Sequence, residues 1–419
     1  MAYILGVVLF ALAILISVCL HEAGHMGTAK AFGMKVSRYF VGFGPTLWSF
    51  RRGETEYGVK AVPLGGFVKI VGMTPQDDDV PPEDEPRAMW RFPVWKRTIV
   101  MSAGSVTHFA LAFVALWLAA IFMGLPNPAY PTTQAEVNKQ PAVIKVAPCV
   151  IVDAAQSATR DKCQGSDPAS PSSVAGLEDG DRITKVGATP VDNYGELVTA
   201  IRTTKAGPVD IEYVRDGVSA SATLNLISVQ RPPLDDPTGP LGPVSAMGVM
   251  PKIDIPPSVQ YGPGEALGAS ADFTGTMFTG TIDAMKKFPE KVPKLWTAIN
   301  GGERDPQTPI SVVGASRLGG EAVANNAWEA FVFLFITLNF FVGVFNLLPL
   351  LPLDGGHIAI AWFERARSWL YARLGRADPG RVDYYKLMPV TYAVILIFGA
   401  FTLLTVTADV VNPITLFSR

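Results

Sequence analysis

Charged side chains are scarce. They make up 17% of the 419 residues against a hydrophobic share of 49%, and residues 1–20 hold none. With a mean hydropathy of +0.27, this balance points to a membrane protein carrying soluble insertions. A net charge of −2 leaves no electrostatic footprint for nucleic acid. The first apolar run lacks a basic leading segment and a small-residue cleavage site before His21, so it reads as a retained span and not a signal peptide. Cysteine is limited to three residues, with Cys19 alone in that run and Cys149 and Cys163 together in a long polar segment. Histidine is limited to four.

Four stretches reach the roughly 20 apolar residues that cross a bilayer: Tyr3–Leu20, Ile99–Leu125, Trp328–Leu351 and Val390–Val411. Basic residues orient them. Residues 26–98 carry 11 Lys or Arg and residues 355–389 carry 6, whereas the far longer segment 126–327 carries 17 against 22 acidic residues. The positive-inside rule then puts 26–98 and 355–389 in the cytoplasm and 126–327 outside. The first and third spans therefore run the same way, and their carboxyl ends meet at one membrane face.

At the end of the first run stands His21-Glu22-Ala23-Gly24-His25. On a helix the two imidazoles lie one turn apart on one face, able to share a metal ion, with Glu22 beside them. A zinc hydrolase needs such a set: neutral nitrogen ligands, an open position for water, and a carboxylate to take the water's proton. The plainer alternative is a helix that ends here with its polar groups in the interface. The third span ends in Asn346-Leu-Leu-Pro-Leu-Leu-Pro-Leu-Asp354-Gly-Gly-His357. Two prolines free backbone groups at membrane depth, which is tolerable where they line a protein cavity. Asp354 in that break faces the same side as His21 and His25 and can supply a third ligand. His357 is a competing ligand nearer the basic loop, and His108, early in the second span, reads more simply as a packing or hydrogen-bonding residue.

Between the first two spans, residues 40–70 alternate around Tyr57, Val59 and Ala61, with Gly65, Gly66 and Phe67 following, and predict strands with an exposed edge able to take up an extended peptide. An ordinary surface hairpin is the alternative. Residues 74–86, acidic and Pro-rich, predict a disordered linker. Residues 143–228 predict a compact β-rich domain with a helix at Tyr194–Thr203. Its Gly-Leu, then Gly-Asp, then alternating apolar pattern resembles the PDZ domains of bacterial proteases, which capture strands or chain ends; a structural spacer is the alternative. A Cys149–Cys163 bridge would tie down the loop entering it, two free thiols being the alternative. Residues 264–299 predict a helix interrupted at Pro289 and Pro293, and the glycines between 301 and 320 predict a flexible approach to the third span.

Taken together, the zinc-type helix, the PDZ-like insertion, and Asn-Leu-Leu-Pro with Leu-Asp-Gly resemble the site-2 proteases, intramembrane zinc metalloproteases, and among them the single-PDZ mycobacterial kind that cleaves membrane-bound anti-sigma factors. The resemblance implies that Zn2+ is bound by His21, His25 and Asp354, that Glu22 is the general base, and that Asn346 contacts the substrate backbone. It further implies a membrane-associated β-hairpin that holds the substrate through Tyr57, Val59, Ala61, Gly65, Gly66 and Phe67. One departure is visible: relatives often carry Gly-x-x-x-Asn at the start of the second span, where this chain has Gly104 and His108.

The expected architecture is a polytopic α-helical membrane protein of four transmembrane helices. In order these are residues 1–25 with the histidine pair, a cytoplasmic segment 26–98 with the hairpin, a second helix 99–125, and an extracytoplasmic α+β PDZ domain 143–228. A strand and amphipathic-helix region 229–327, a third helix 328–354 and a fourth helix 390–411 complete it. Expected partners are transmembrane substrates trimmed beforehand by a site-1-type protease, with no nucleic acid, and the expected place is the plasma membrane with the site toward the cytoplasm. A non-catalytic PDZ-bearing scaffold is the alternative. A zinc transporter would need further ligands along the spans, and only His108 is there.

Overall fold

The computed structural model describes residues 1–73, 80–153, 163–236 and 239–417. In chain order its elements are α1 (Ala2–Ala31), β1 (Val36–Arg52), β2 (Thr55–Ile70), α2 (Val94–Phe122), β3 (Leu125–Pro126), α3 (Gln134–Asn138), β4 (Ile144–Val146), α4 (Pro171–Val174), β5 (Arg182–Val186) and β6 (Thr189–Pro190). Then come α5 (Tyr194–Thr203), β7 (Gly207–Arg215), β8 (Val218–Arg231), β9 (Gly242–Ala246), β10 (Val249–Pro251), β11 (Ser258–Val259) and α6 (Pro263–Lys286). The chain ends with α7 (Phe288–Ile299), α8 (Val312–Ala324), α9 (Trp328–Asn346), α10 (Asp354–Arg373) and α11 (Met388–Val411). They form two compact units, residues 1–124 with 260–419, and residues 125–259.

Among the described residues four helices are long and apolar enough to cross a membrane, Ala2–Ala31, Val94–Phe122, Trp328–Asn346 and Tyr384–Val411. In α1 the buried positions are Gly6, Phe10, Ser17, His21, His25 and Ala29, a stripe at helical spacing, while Ile4, Leu5, Val8, Leu12, Ile16 and Leu20 are exposed. The polarity of a soluble helix is thus inverted. Lipid takes the apolar face, and the polar groups turn inward, where partners can satisfy them. In α9 the buried stripe is Ile336, Asn339, Phe340, Gly343 and Val344, again with a polar side chain at its centre.

Residues 301–320 depart from the flexible approach expected of their glycines, because Val312–Ala324 is a helix capped by the Ser311 side chain on the Gly314 amide. Its glycines serve close packing. A Cβ at Gly319 would come within 2.7 Å of Phe10, and one at Gly6 within 2.8 Å of the Gly319 carbonyl. Small residues let the two backbones approach. Nor does Pro293 break its helix: α6 ends at Lys286, and α7 starts with Pro289 in its first turn and carries Pro293 inside. The segment 74–79 of the expected linker lies outside the described residues; the rest is anchored by a short turn at Glu85–Arg87 and a Lys35–Asp84 ion pair.

In the unit 125–259, five antiparallel strands run in the order β6-β5-β7-β8-β9. The helix α5 buries Tyr194, Leu197, Ala200 and Ile201 against Ile183, Ile211 and Leu224. Asn193 caps it by accepting from the Glu196 amide at 2.9 Å. The unit is wider than residues 143–228, because β9 pairs with β8, β10 pairs with β4, and β11 pairs with β3. Cys149 and Cys163 are joined by a disulfide, their Cα atoms 6.0 Å apart.

A fork on buried Asp181 fixes the β5–β7 corner: half-buried Arg215 donates from Nε and Nη2 to the two Asp181 oxygens, each at 2.8 Å. Burial alone would raise the Asp181 pKa, but the Arg215 hydrogen bonds and the Glu178 amide outweigh it and hold the carboxyl below its usual range. A carboxyl depressed in the folded state contributes stability that is complete above its unfolded pKa, near 4, and is lost as pH falls through the folded value. Hydrogen-exchange protection of the β5 amides in the full chain is expected to weaken on acidification below about pH 4. Asp181→Asn should be less protected at pH 7 and lose that pH dependence; an unchanged acid profile would refute the assignment.

Candidate metal centre

Helical spacing puts His21 and His25 on one face, and α2 closes over them. A Cβ at Gly104 would come within 2.5 Å of His25 Nε2 and 2.6 Å of His21 Nδ1, so no larger residue fits without displacing the rings. The rings stand edge to face, centroids 4.7 Å apart. His25 Nδ1 lies 2.7 Å from the Val100 carbonyl. A carbonyl only accepts, so this nitrogen carries the proton and His25 Nε2 presents a lone pair.

After α9 the chain turns through residues 347–353, with a cis peptide at Leu351–Pro352, and resumes as α10, whose first residue is Asp354. Its Oδ2 lies 3.3 Å from His21 Nε2 and 3.3 Å from His25 Nε2, and the two nitrogens are 3.1 Å apart. The three groups meet the requirement for a shared ion, all ligand atoms lying within 4.8 Å of one another. Four ligands at zinc's bond length of about 2.0–2.1 Å would be spaced at about 3.3 Å along tetrahedral edges. Among the described residues, Asp354 Oδ2 is buried without a hydrogen-bond partner. A single proton on one ring would satisfy one contact and leave the others as lone pairs facing each other, whereas a cation satisfies all three. The donor set of two imidazoles and a carboxylate fits zinc.

Glu22 is half-buried beside this set, and its Oε2 accepts from the Val68 amide at 3.0 Å. That bond shows how the hairpin sits. The segment 38–41 is paired on both sides, with residues 66–69 and with 56–59, and the latter pair in turn with 48–51. Tyr57 faces Tyr39 and Phe50, and Val59 faces Val41 and Trp48. Both are interior, which corrects the expectation that they lie on an exposed edge. Among the described residues, Gly66 and Phe67 have strand partners on one side only, Val41 and Phe40, so in the strand pairing the outer edge is residues 66–70. Gly65 adopts φ +125, a left-handed conformation that marks the entry to that edge. Phe43, Leu47, Trp48, Phe50, Val62 and Leu64 are exposed and apolar along the hairpin.

Asn346 closes α9, half-buried, and His357 lies on α10 with Nδ1 3.5 Å from the Tyr384 hydroxyl, outside the ligand set. Two residues that sequence reasoning missed join the site's surroundings: Ser17, one turn before His21, and Asn339, both within hydrogen-bond reach of His108. Their signal is a polar side chain in an otherwise apolar run.

Residues 9–375 match peptidase family M50. The chain belongs to that family. The zinc metalloprotease Rip1 of Mycolicibacterium smegmatis is 46% identical over 423 residues, all of both chains, and that of Mycobacterium tuberculosis H37Rv is 46% identical over 419 residues, again end to end. The regulator of sigma-E protease RseP of Salmonella typhimurium is 28% identical, covering 87% of this chain and 91% of its own. This M50 peptidase is thus a multi-pass membrane metallopeptidase, and the three grouped side chains His21, His25 and Asp354 could hold its metal ion. Removing a ligand should cost more than the roughly 10–100-fold in affinity lost with a ligand's outer partner. Asp354→Ala is expected to copurify with well under stoichiometric zinc by elemental analysis; full zinc occupancy would contradict the ligand set.

Proposed function

We propose that this zinc endopeptidase hydrolyses peptide bonds inside transmembrane segments of single-span proteins already trimmed by a site-1-type protease, anti-sigma factors among them. The observation that carries it is the convergence of His21, His25 and Asp354 among helices whose apolar faces are exposed. The name of the Salmonella relative, a regulator of sigma-E protease, supports the anti-sigma substrate class. The site opens to the cytoplasm, in keeping with the basic segments 26–98 and 355–389. The unit 125–259 is an extracytoplasmic PDZ module that captures or excludes substrates.

Bound by the two imidazoles and Asp354, zinc supplies a Lewis acid where bulk water is scarce. The chain's own residues do the rest. With Oε2 engaged by Val68, Glu22 Oε1 accepts a proton from the attacking water as its oxygen adds to the scissile carbonyl carbon, and passes that proton to the amine nitrogen as the C–N bond breaks. A transmembrane helix hides its amides in its own hydrogen bonds and must unwind first. The outer edge at 66–70 offers the opened segment a strand to pair with, next to the base. Asn346 contacts the substrate backbone, and the apolar hairpin lies in the membrane interface.

Removing a general base costs typically 10²–10⁴ in rate. In detergent, Glu22→Gln is expected to lose cleavage of a panel of single-span membrane peptides by about that factor while keeping stoichiometric zinc. Unchanged cleavage would refute the role, and absence of cleavage by the unaltered chain on every peptide would favour a scaffold.

A further inference from the structure

Beside the ligand set, three buried polar side chains from three helices meet: Ser17 of α1, His108 of α2 and Asn339 of α9. Asn339 Nδ2 donates to the Phe335 carbonyl at 2.9 Å, which leaves its Oδ1 for His108. His108 Nδ1 is 2.9 Å from that oxygen, and the Ser17 hydroxyl donates to the same oxygen. An amide oxygen only accepts, so His108 Nδ1 carries the ring's proton and Nε2 keeps its lone pair. The tautomer is set from outside the metal site.

His21 has the complementary need. Its Nε2 faces His25 and Asp354, so a neutral ring bears its proton on Nδ1, and Nδ1 is buried with no hydrogen-bond partner among the described residues. Ligand histidines almost always give that second proton to an acceptor, which fixes the ring and raises its basicity. His25 does so to Val100. His108 stands one helical turn beyond Gly104, the residue that touches His21, and its ring lies 5.0 Å from the His21 ring, centroid to centroid.

The geometry points to His108 as the positioning residue of His21: Nε2 accepts the His21 Nδ1 proton, after a small ring rotation or through one water, and Asn339 holds His108 in the tautomer that can do so. This rests on the reading of His21 as a zinc ligand. The Ser105 hydroxyl, buried and unpartnered next to Gly104, is the competing acceptor.

The test is zinc affinity of the full chain in detergent, by chelator competition, with the absorption spectrum of the cobalt-substituted protein as a second readout. His108→Leu is expected to bind zinc about 10–100-fold more weakly and to shift the cobalt spectrum. His108→Gln, which offers an acceptor and a donor, should stay within about threefold of the unaltered chain, and Ser105→Ala should match it. Asn339→Leu, which leaves the imidazole in place, should also weaken zinc and serves if His108→Leu does not fold. Unchanged affinity in His108→Leu, equal losses in His108→Leu and His108→Gln, or a loss confined to Ser105→Ala would each overturn the proposal. Failure of the unaltered chain to bind zinc would instead sink the ligand assignment beneath it.

Discussion

Two imidazole nitrogens and a carboxylate oxygen, held 3.1–3.3 Å apart inside an apolar helix bundle, repel one another unless a cation sits among them. Burying the Asp354 carboxylate unpaired costs several kcal/mol, a large part of the roughly 5–15 kcal/mol that holds an ordinary fold together. The rest of the structure follows from meeting that demand. The helices α1 and α9 each turn an apolar face outward and carry polar side chains, Ser17, His21 and His25 on the one and Asn339 on the other, on the stripe that is buried.

Close approach makes the arrangement possible. Gly104 lets α2 lie against the histidine pair, and Gly6 and Gly319 let α1 and α8 meet backbone to backbone. The turn after α9 adds Asp354 at the first position of α10, where a helix N-terminus favours negative charge. The edge at 66–70 reaches the same place from the hairpin, so Glu22, the proposed general base, and the strand proposed for substrate touch through one hydrogen bond.

Much of this was legible in the residues. His21 and His25 announce themselves by an i, i+4 spacing, and Asp354 by a proline-broken span running parallel to theirs. Ser17 and Asn339 were not legible, because one hydroxyl and one amide in apolar runs carry no spacing that names a partner on another helix. Alternation at Tyr57 and Val59 identified strand but not edge, since period two says nothing of how many neighbours a strand has. The glycines of α8 suggested mobility where the structure uses them for contact; a glycine's freedom and its smallness read alike until the opposing helix is known.

The central claim is tested most directly by X-ray absorption at the zinc edge on the purified full-length chain. The account requires two imidazole shells and one carboxylate oxygen, all at about 2.0–2.2 Å, in a four-coordinate site. A shell containing sulfur, a third imidazole, or no oxygen from Asp354, seen as no change in the spectrum on its substitution, would contradict it.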